Sequence, residues 1–222
     1  MTDLGETPAF FDLVSNVRAM RRLKSDPVPR DLLMKVLNAG VQAPSGMNTQ
    51  PWKFVVIEDP ERKRWFAERY GQAIESRMPA MPADPAKRAD EPVHPMISAM
   101  FYQMDHMHEA PYLVLVCGER DWPFKVAQEG RVGLAPPNFG AVYPCVQNVL
   151  LACRAVGLGA ALTTMHQCFE EELHAYFGIP DTFGVVVTIP IGWPMGNFGS
   201  VTRIPAEEKT FFDRWEDESA SE

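Results

Sequence analysis

Apolar positions along this chain alternate between helical spacing and strand-like runs. Phe10, Val14 and Val17 recur on one helical face, which predicts a helix over 10–22. Helical spacing also marks the segments that begin at Pro29, Asp59 and Met96, and the segments 139–156 and 170–177. Continuous apolar runs of strand length lie at 53–57, 111–117, 160–164 and 184–191. About five helices and four core strands in mixed order indicate an α+β fold.

The helix over 139–156 is apolar nearly all round, which is typical of a central helix. Gly157 and Gly159 follow it, and we expect them to end it. Gly178 has the same place after the short helix over 170–177. These three glycines therefore set the boundaries in the second half of the chain.

The segment 76–95 breaks the regular pattern. It is polar, and its prolines at 79, 82, 85, 92 and 95 forbid a regular helix. Long irregular segments in compact domains often cover a site. We therefore interpret 76–95 as a lid-like excursion within one domain.

Charge and cysteine content narrow the class of protein. The net charge of −8 argues against nucleic acid or an anionic membrane as the main partner. No apolar run approaches the length needed to cross a bilayer, and no secretory signal is visible. The cysteines form neither a C-x-x-C pair nor a metal-finger spacing. We expect a reduced, cytoplasmic compartment and no membrane partner.

A polar loop precedes the first strand. Ser45, Asn48 and Gln50 are two or three residues apart, between Pro44 and Pro51, which stiffen the loop ends. Such side chains can converge on a flat heterocycle with many donors and acceptors. An ordinary polar turn before a strand explains the same pattern equally well.

A local basic cluster lies at 17–24. Arg18 and Arg21 are three apart, so on the predicted helix they share a face and suit a doubly charged phosphate. Arg22 is also one turn from Arg18, so the pattern alone does not choose between Arg21 and Arg22. A solvated helix face with surface ion pairs is the alternative. Arg203 is an isolated cation late in the chain.

Taken together, these motifs resemble the nitroreductase family of flavin-dependent oxidoreductases. The resemblance runs from about 10 to 205 and rests on these elements in order: Arg18-x-x-Arg21, Pro27-Val28-Pro29, Ala43-Pro44-Ser45-Gly46-x-Asn48-x-Gln50-Pro51-Trp52, Gln147-Asn148, Gly157-Leu158-Gly159, Thr163-Thr164, Gly192-Trp193-Pro194 and Arg203. It implies an α+β fold with a central, mostly antiparallel mixed sheet flanked by helices, in a domain-swapped homodimer that binds FMN at the subunit interface.

The resemblance also implies roles for individual residues. Carried over by position, the FMN ligands are Arg18, Ala19, Met20, Arg21, Ser45, Asn48, Gln50, Leu162, Thr163, Thr164 and Arg203. The arginines would contact the phosphate and ribityl chain, and the loop residues would lie near the ring, some of them from the partner subunit. Val17, Ala19 and Val201 depart from the basic or hydroxyl residues common in the family, so the phosphate site has fewer such groups.

The chemistry implied is transfer of reducing equivalents from NAD(P)H to nitroaromatic or quinone-like acceptors in a ping-pong scheme. The cofactor carries the hydride chemistry, so no catalytic side chain is assigned. A reductive dehalogenase of the iodotyrosine deiodinase kind, with charged lid residues gripping an amino-acid zwitterion, is one alternative. Glu68, Tyr70, Glu75, Arg77 and Lys87 are available for that grip. A flavin-storing protein with weak turnover is another.

The C-terminal tail and a histidine cluster complete the sequence-based expectations. The tail over 206–222 holds Phe211, Phe212 and Trp215, and we expect it to bury them on a partner subunit of a homodimer. The FMN-binding domain is then 10–205. His94, His106 and His108 cluster near acidic residues, but His106 and His108 face different ways on a helix, so we expect no metal site.

Overall fold

The computed structural model describes residues 10–78, 84, 87, 94–120 and 137–215. Its α-helices are α1 (Phe10–Asn16), α2 (Arg30–Gly40), α3 (Pro60–Arg77), α4 (Pro95–His106), α5 (Pro137–Ala155) and α6 (Glu170–Phe177). Its strands are β1 (Trp52–Ile57), β2 (Tyr112–Glu119), β3 (Gly159–Ala160) and β4 (Phe183–Gly192). Within the described residues, no helix is both long enough and apolar enough to cross a membrane.

The strands form one sheet in the order β1-β2-β4-β3, and each neighbouring pair is antiparallel. The predicted α+β class with a mostly antiparallel sheet is confirmed. The parallel component implied by a mixed sheet does not occur among the strands of the described ranges. Domain swapping stays a prediction.

Hydrophobic core lies on both faces of the sheet. Alternate residues of β2 point to opposite sides: Leu113 and Leu115 join one buried cluster, whereas Val114 and Val116 join the other. The first cluster also takes apolar residues of α3, α4 and α6, and the second takes those of α2 and α5. A sheet that is covered on both faces explains why the central strand is apolar throughout instead of alternating.

The central helix ends in a glycine-dependent motif. Gly157 has φ +78°, and its N–H donates to the Arg154 carbonyl over 3.2 Å. The next amide, of Leu158, donates to the Cys153 carbonyl over 2.8 Å, so the two bonds form a Schellman cap. Gly157 therefore ends α5 as predicted, but Gly159 does not, because it belongs to β3. Gly178, at φ +65°, ends α6 as predicted.

The predicted helix over 10–22 is too long. The α1 helix ends at Asn16, and the following residues are not helical because other parts of the chain bond to their backbone. The Met20 amide donates to the Ala160 carbonyl over 2.9 Å, and the Lys24 amide donates to the Trp193 carbonyl over 2.8 Å. These tertiary hydrogen bonds override the local helical spacing.

Other predicted boundaries are close to the observed ones. β1, β2 and β4 each differ by one or two residues at an end, and the predicted strand over 160–164 is shortened to β3 plus a single pairing of Thr163 with Thr188. Of the predicted lid over 76–95, α3 continues to Arg77 and α4 begins at Pro95. Most of the lid between them lies outside the described residues.

Candidate functional site

A cleft of about 390 Å³ opens between the segment after α1, the C-terminal half of α5, β3 and the segment after β4. We call it the arginine cleft. Its lining is Val17, Arg18, Ala19, Arg21, Gln147, Leu150, Arg154, Leu158, Ala160, Ala161, Leu162, Phe198 and Arg203. The cleft is thus lined by residues from early and late in the domain and by residues of its central helix.

Backbone pairing explains why distant arginines meet in this cleft. The segment after α1 runs antiparallel to the segment after β4, with a bridge between Leu23 and Pro194. The Met195 amide donates to the Arg22 carbonyl over 3.0 Å, and the Val201 amide donates to the Ser15 carbonyl over 3.1 Å. Arg18 and Arg21 on one segment are thereby brought beside Arg203 on the other.

Gly159 lets three segments approach one another beneath the cleft. A Cβ built there would lie 2.7 Å from Leu23 Cδ2, 3.0 Å from Met20 Cβ and 3.3 Å from Pro194 Cβ. Both Met20 and Leu23 are buried. The absent side chain is therefore what allows the arginine-bearing segments to pack on β3.

The cleft carries strong positive charge in an acidic protein. Four arginines line it, and no aspartate or glutamate from the described part of the chain does. Guanidinium groups donate in a planar fork that matches phosphate oxygens. An arrangement of this kind suits a small anion with two negative charges.

Arg154 was missed by the sequence analysis. It lies in the last turn of α5, where its Cζ stands 4.2 Å from the ring centroid of Phe198. Its Nε is buried and makes no hydrogen bond to any described residue. Gln147, Leu150 and Arg154 have helical spacing and share the face of α5 that lines the cleft. That spacing was a usable signal, but the apolar character of the helix concealed it.

Arg21 and Arg22 point to different parts of the molecule. Arg21 lines the cleft, whereas the Arg22 guanidinium donates to Ser98 Oγ over 3.0 Å and lies 5.5 Å from the Tyr102 ring centroid. Of these two arginines only Arg21 lines the cleft, and its role at a phosphate stays a prediction. The prediction that Arg18 and Arg21 share the face of a helix is wrong, because neither residue lies on a helix.

The residues between these arginines have different surroundings. Ala19 lines the cleft. Met20 points into the core, its amide is used by Ala160, and it does not line the cleft.

The surroundings of Leu162, Thr163 and Thr164 also differ from one another. Leu162 lines the cleft and is 40% exposed. Thr163 exchanges two backbone hydrogen bonds of 2.9 Å with Thr188, its hydroxyl accepts the Met165 amide over 3.4 Å, and it does not line the cleft. Thr164 is half-buried, directly precedes the short 3₁₀ helix Met165–Phe169 and does not line the cleft.

The polar loop before β1 is strained and exposed. Met47, Asn48 and Gln50 have φ of 52°, 55° and 50°, values that side chains with a Cβ rarely adopt. Ser45 Oγ accepts the Gln50 amide over 3.0 Å, which fixes the loop. Strained backbone of this kind is concentrated at binding sites. Within one chain, however, Ser45, Asn48 and Gln50 do not line the arginine cleft.

Two other groups named from the sequence, the histidine cluster and Tyr70, are held by contacts within the protein. No group of three or more His, Cys, Asp or Glu within the described ranges is placed to hold a metal ion. His106 instead pairs with Glu109 at 2.9 Å. Tyr70, which was available for gripping a zwitterion, is 3% exposed. Burial raises the pKa of its hydroxyl, while a hydrogen bond with Thr163 and the charge of Arg21 act in the opposite direction.

Comparison with known proteins gives a consistent result. The model of the nitroreductase family matches residues 15–193. The chain is 30% identical over 197 residues to an NADH dehydrogenase from Thermus thermophilus, covering 86% of this chain and 89% of the relative. It is 26% identical over 226 residues to a nitrobenzene nitroreductase from Ectopseudomonas oleovorans, covering 93% and 97%.

A solved structure shows the same fold. The crystal structure of oxidized iodotyrosine deiodinase bound to FMN and 3-iodo-L-tyrosine superposes with a TM-score of 0.69 at 23% identity, covering 94% of this chain and all of that one. The family model covers most of the chain, and the antiparallel sheet flanked by helices agrees with this fold. The chain therefore belongs to the nitroreductase family, whose members include oxidoreductases.

Proposed function

We propose that this protein is an FMN-dependent oxidoreductase that passes reducing equivalents from NAD(P)H to nitroaromatic or quinone-like acceptors in the cytoplasm. The observation that carries the proposal is the arginine cleft. Its guanidinium groups converge with no opposing carboxylate from the described residues, and one buried N–H lacks an acceptor. Buried donors without partners are costly, so a bound anion is the natural complement.

Particular residues of this chain would hold the cofactor. Arg18, Arg21 and Arg203 hold the phosphate by charge-assisted hydrogen bonds, and Leu162 offers apolar surface beside them. Ser45, Asn48 and Gln50 lie outside the cleft of their own chain, so we assign them to the site of a partner subunit. FMN, when bound, supplies the hydride and electron-transfer chemistry, and the protein supplies binding, orientation and electrostatics.

A homodimer is part of this proposal. A groove of about 400 Å³ runs between α1, α2 and α5 on the surface next to the arginine cleft. Its lining is mainly apolar: Phe10, Leu13, Lys35, Val36, Ala39, Asn148, Leu151, Ala152, Ala155 and Val156. Phe212 and Trp215 in the tail are 84% and 82% exposed, which favours burial against a second copy.

Three measurements test the function. The purified protein should take up FMN, lose visible flavin absorbance when mixed anaerobically with NADPH or NADH, and regain it when nitrobenzene or a quinone is added. Steady-state rates should give parallel double-reciprocal lines, because donor and acceptor use the same site in turn. A protein that takes up no FMN, or whose bound flavin is not reduced by either nicotinamide, would contradict the proposal.

A second candidate is reductive dehalogenation of an iodinated tyrosine, which the fold neighbour with bound 3-iodo-L-tyrosine favours. Glu68, Arg77 and Lys87 are exposed and so are accessible to a zwitterion, whereas Tyr70 is not. Release of iodide from 3-iodotyrosine by the reduced protein, without turnover of nitrobenzene, would select this candidate. Flavin binding with neither reaction would indicate storage.

A further inference from the structure

We infer that Arg154 is a fourth ligand of the cofactor phosphate and that its stacking on Phe198 positions the segment that carries Arg203. This inference rests on the proposed FMN binding. Neither the sequence pattern nor the positions of the other three arginines predicted a role for Arg154.

The position of Arg154 separates it from an ordinary surface arginine. It follows an apolar helix, lines the cleft and is half-buried, and its Nε is shielded from water without a hydrogen-bond partner in the described part of the chain. Leaving a buried charged donor unsatisfied costs more than one ordinary hydrogen bond contributes. The same guanidinium lines the cleft, where its terminal N–H groups can donate to a phosphate oxygen.

The contact with Phe198 fixes the orientation of the guanidinium group. Arg154 Cζ lies 4.2 Å from the ring centroid, which is cation–π distance. One flat face of the guanidinium is used by the ring, whereas its N–H donors lie in its plane, and the terminal ones remain available at its edge. Arg154 can therefore stack on Phe198 and donate to an anion at the same time.

Phe198 in turn attaches the segment after β4 to the body of the protein. It packs partly buried against the first core cluster, and three residues later the Val201 amide bonds to the Ser15 carbonyl. Arg203 follows directly, is exposed, and donates only to the carbonyl of its neighbour Thr202 among the described groups, over 2.8 Å. Its position in the cleft thus depends on the attachments at Phe198 and Val201.

Four forks around one anion favour a terminal phosphate with two negative charges. FMN carries such a group and riboflavin carries none, whereas the two phosphates of FAD are joined by an anhydride bond and carry one charge each. We therefore expect the cleft to select FMN over both, and Arg154 to contribute to that selection.

The experiment compares dissociation constants for FMN, riboflavin and FAD in the wild-type protein and in Arg154→Met, Arg154→Lys and Phe198→Leu. Arg62→Met is the control, because Arg62 is exposed on α3 outside the cleft. Arg154→Met should weaken FMN binding about tenfold to a hundredfold, the range for one charge-assisted hydrogen bond, and leave riboflavin binding unchanged. Arg154→Lys should lose less, and Arg62→Met nothing.

The positioning role of Phe198 has its own readout. Phe198→Leu should weaken FMN binding, and adding Arg203→Ala to it should cost less than Arg203→Ala costs in the wild-type protein. Unchanged FMN binding in Arg154→Met, or equal loss for FMN and riboflavin, would overturn the role of Arg154. Additive losses in the double variant would overturn the role of Phe198. A wild-type protein that binds no FMN would instead overturn the proposed function itself.

Discussion

Neighbouring arginines in this protein do different work, which is visible only at the scale of single residues. Arg21 faces the arginine cleft and Arg22 faces α4, although both are cations in one short cluster. The Arg22 guanidinium donates to Ser98 on α4, whereas Arg21 lines the cleft, so the two adjacent side chains have different surroundings. The two residues therefore form a matched pair for testing the cleft.

We predict that Arg21→Met weakens FMN binding about tenfold or more, whereas Arg22→Met does not, because only Arg21 donates to the phosphate. Arg18→Ala should behave like Arg21→Met. Fluorescence titration of flavin-free protein measures the effect. Equal loss in Arg21→Met and Arg22→Met would show that the total charge of the cluster matters and not the position of its members.

Gly159 provides a prediction about stability. A Cβ added at this position would lie 2.7 Å from Leu23 Cδ2 and 3.0 Å from Met20 Cβ, an atom attached directly to the backbone. Gly159→Ala should therefore lower the free energy of unfolding by about 1–3 kcal/mol, the usual cost of overpacking. Gly140→Ala is the control, since nothing lies within 4 Å of that Cβ. Thermal unfolding followed by circular dichroism would decide, and an unchanged melting temperature in Gly159→Ala would contradict the close packing.

Among elements, the segment after α1 shows where sequence reasoning reaches its limit. Strands β2 and β4 could be predicted because their apolar runs are buried on both faces, and β1 could be predicted from its apolar run although it is only partly buried. The non-helical form of 17–24 could not be predicted, because its hydrogen bonds go to Ala160 and Trp193, far away in the sequence. Arg18, Arg21 and Arg203 were found by charge and family resemblance, whereas Arg154 was concealed in an apolar helix.

The short 3₁₀ helix Met165–Phe169 contains a titratable group within the core. His166 is fully buried, and its Nε2–H donates to the Val185 carbonyl over 2.7 Å, while Nδ1 has no partner in the described residues. Burial lowers the pKa of His166 below its ordinary value of 6.5, against the opposing effects of the Val185 bond and of Glu170. The folded protein therefore favours the neutral form of His166.

We predict that this histidine makes the protein less stable in mild acid. Its contribution is complete above pH 6.5 and is lost as the pH falls below that value, because the unfolded chain binds the proton more strongly. Melting temperatures of flavin-free protein between about pH 7.5 and pH 5.5 would measure the effect. In His166→Gln the melting temperature should change less with pH over that interval. An equal slope in both proteins would assign the pH dependence to other groups.

At the scale of the whole molecule, the arginine cleft and the polar loop do not meet within one chain. Ser45 and Gln50 are held in a strained, exposed loop, yet neither lines the cleft. In the proposed homodimer, a second chain bound at the apolar groove along α5 would supply its loop to the cleft. Assembly then becomes a condition for binding the cofactor.

Mixed dimers test this arrangement. Arg18→Ala disables the cleft, and Asn48→Ala disables the loop, so each homodimer should bind FMN poorly. Co-expressed chains carrying one substitution each should form a mixed dimer with one intact site, in which FMN binding recovers to about one flavin per dimer. Absence of recovery, with a mixed dimer demonstrated by sedimentation and mass spectrometry, would mean that the loop serves its own chain.

The pairing of the segment after α1 with the segment after β4 also affects when the protein can acquire its cofactor. The cations of the cleft come from near opposite ends of the sequence, and a chain emerging from the ribosome folds from its N-terminal part first. Until residue 203 has been synthesised, one of the four arginines that line the cleft is missing. Flavin uptake would therefore follow translation, and a prematurely terminated product would remain colourless.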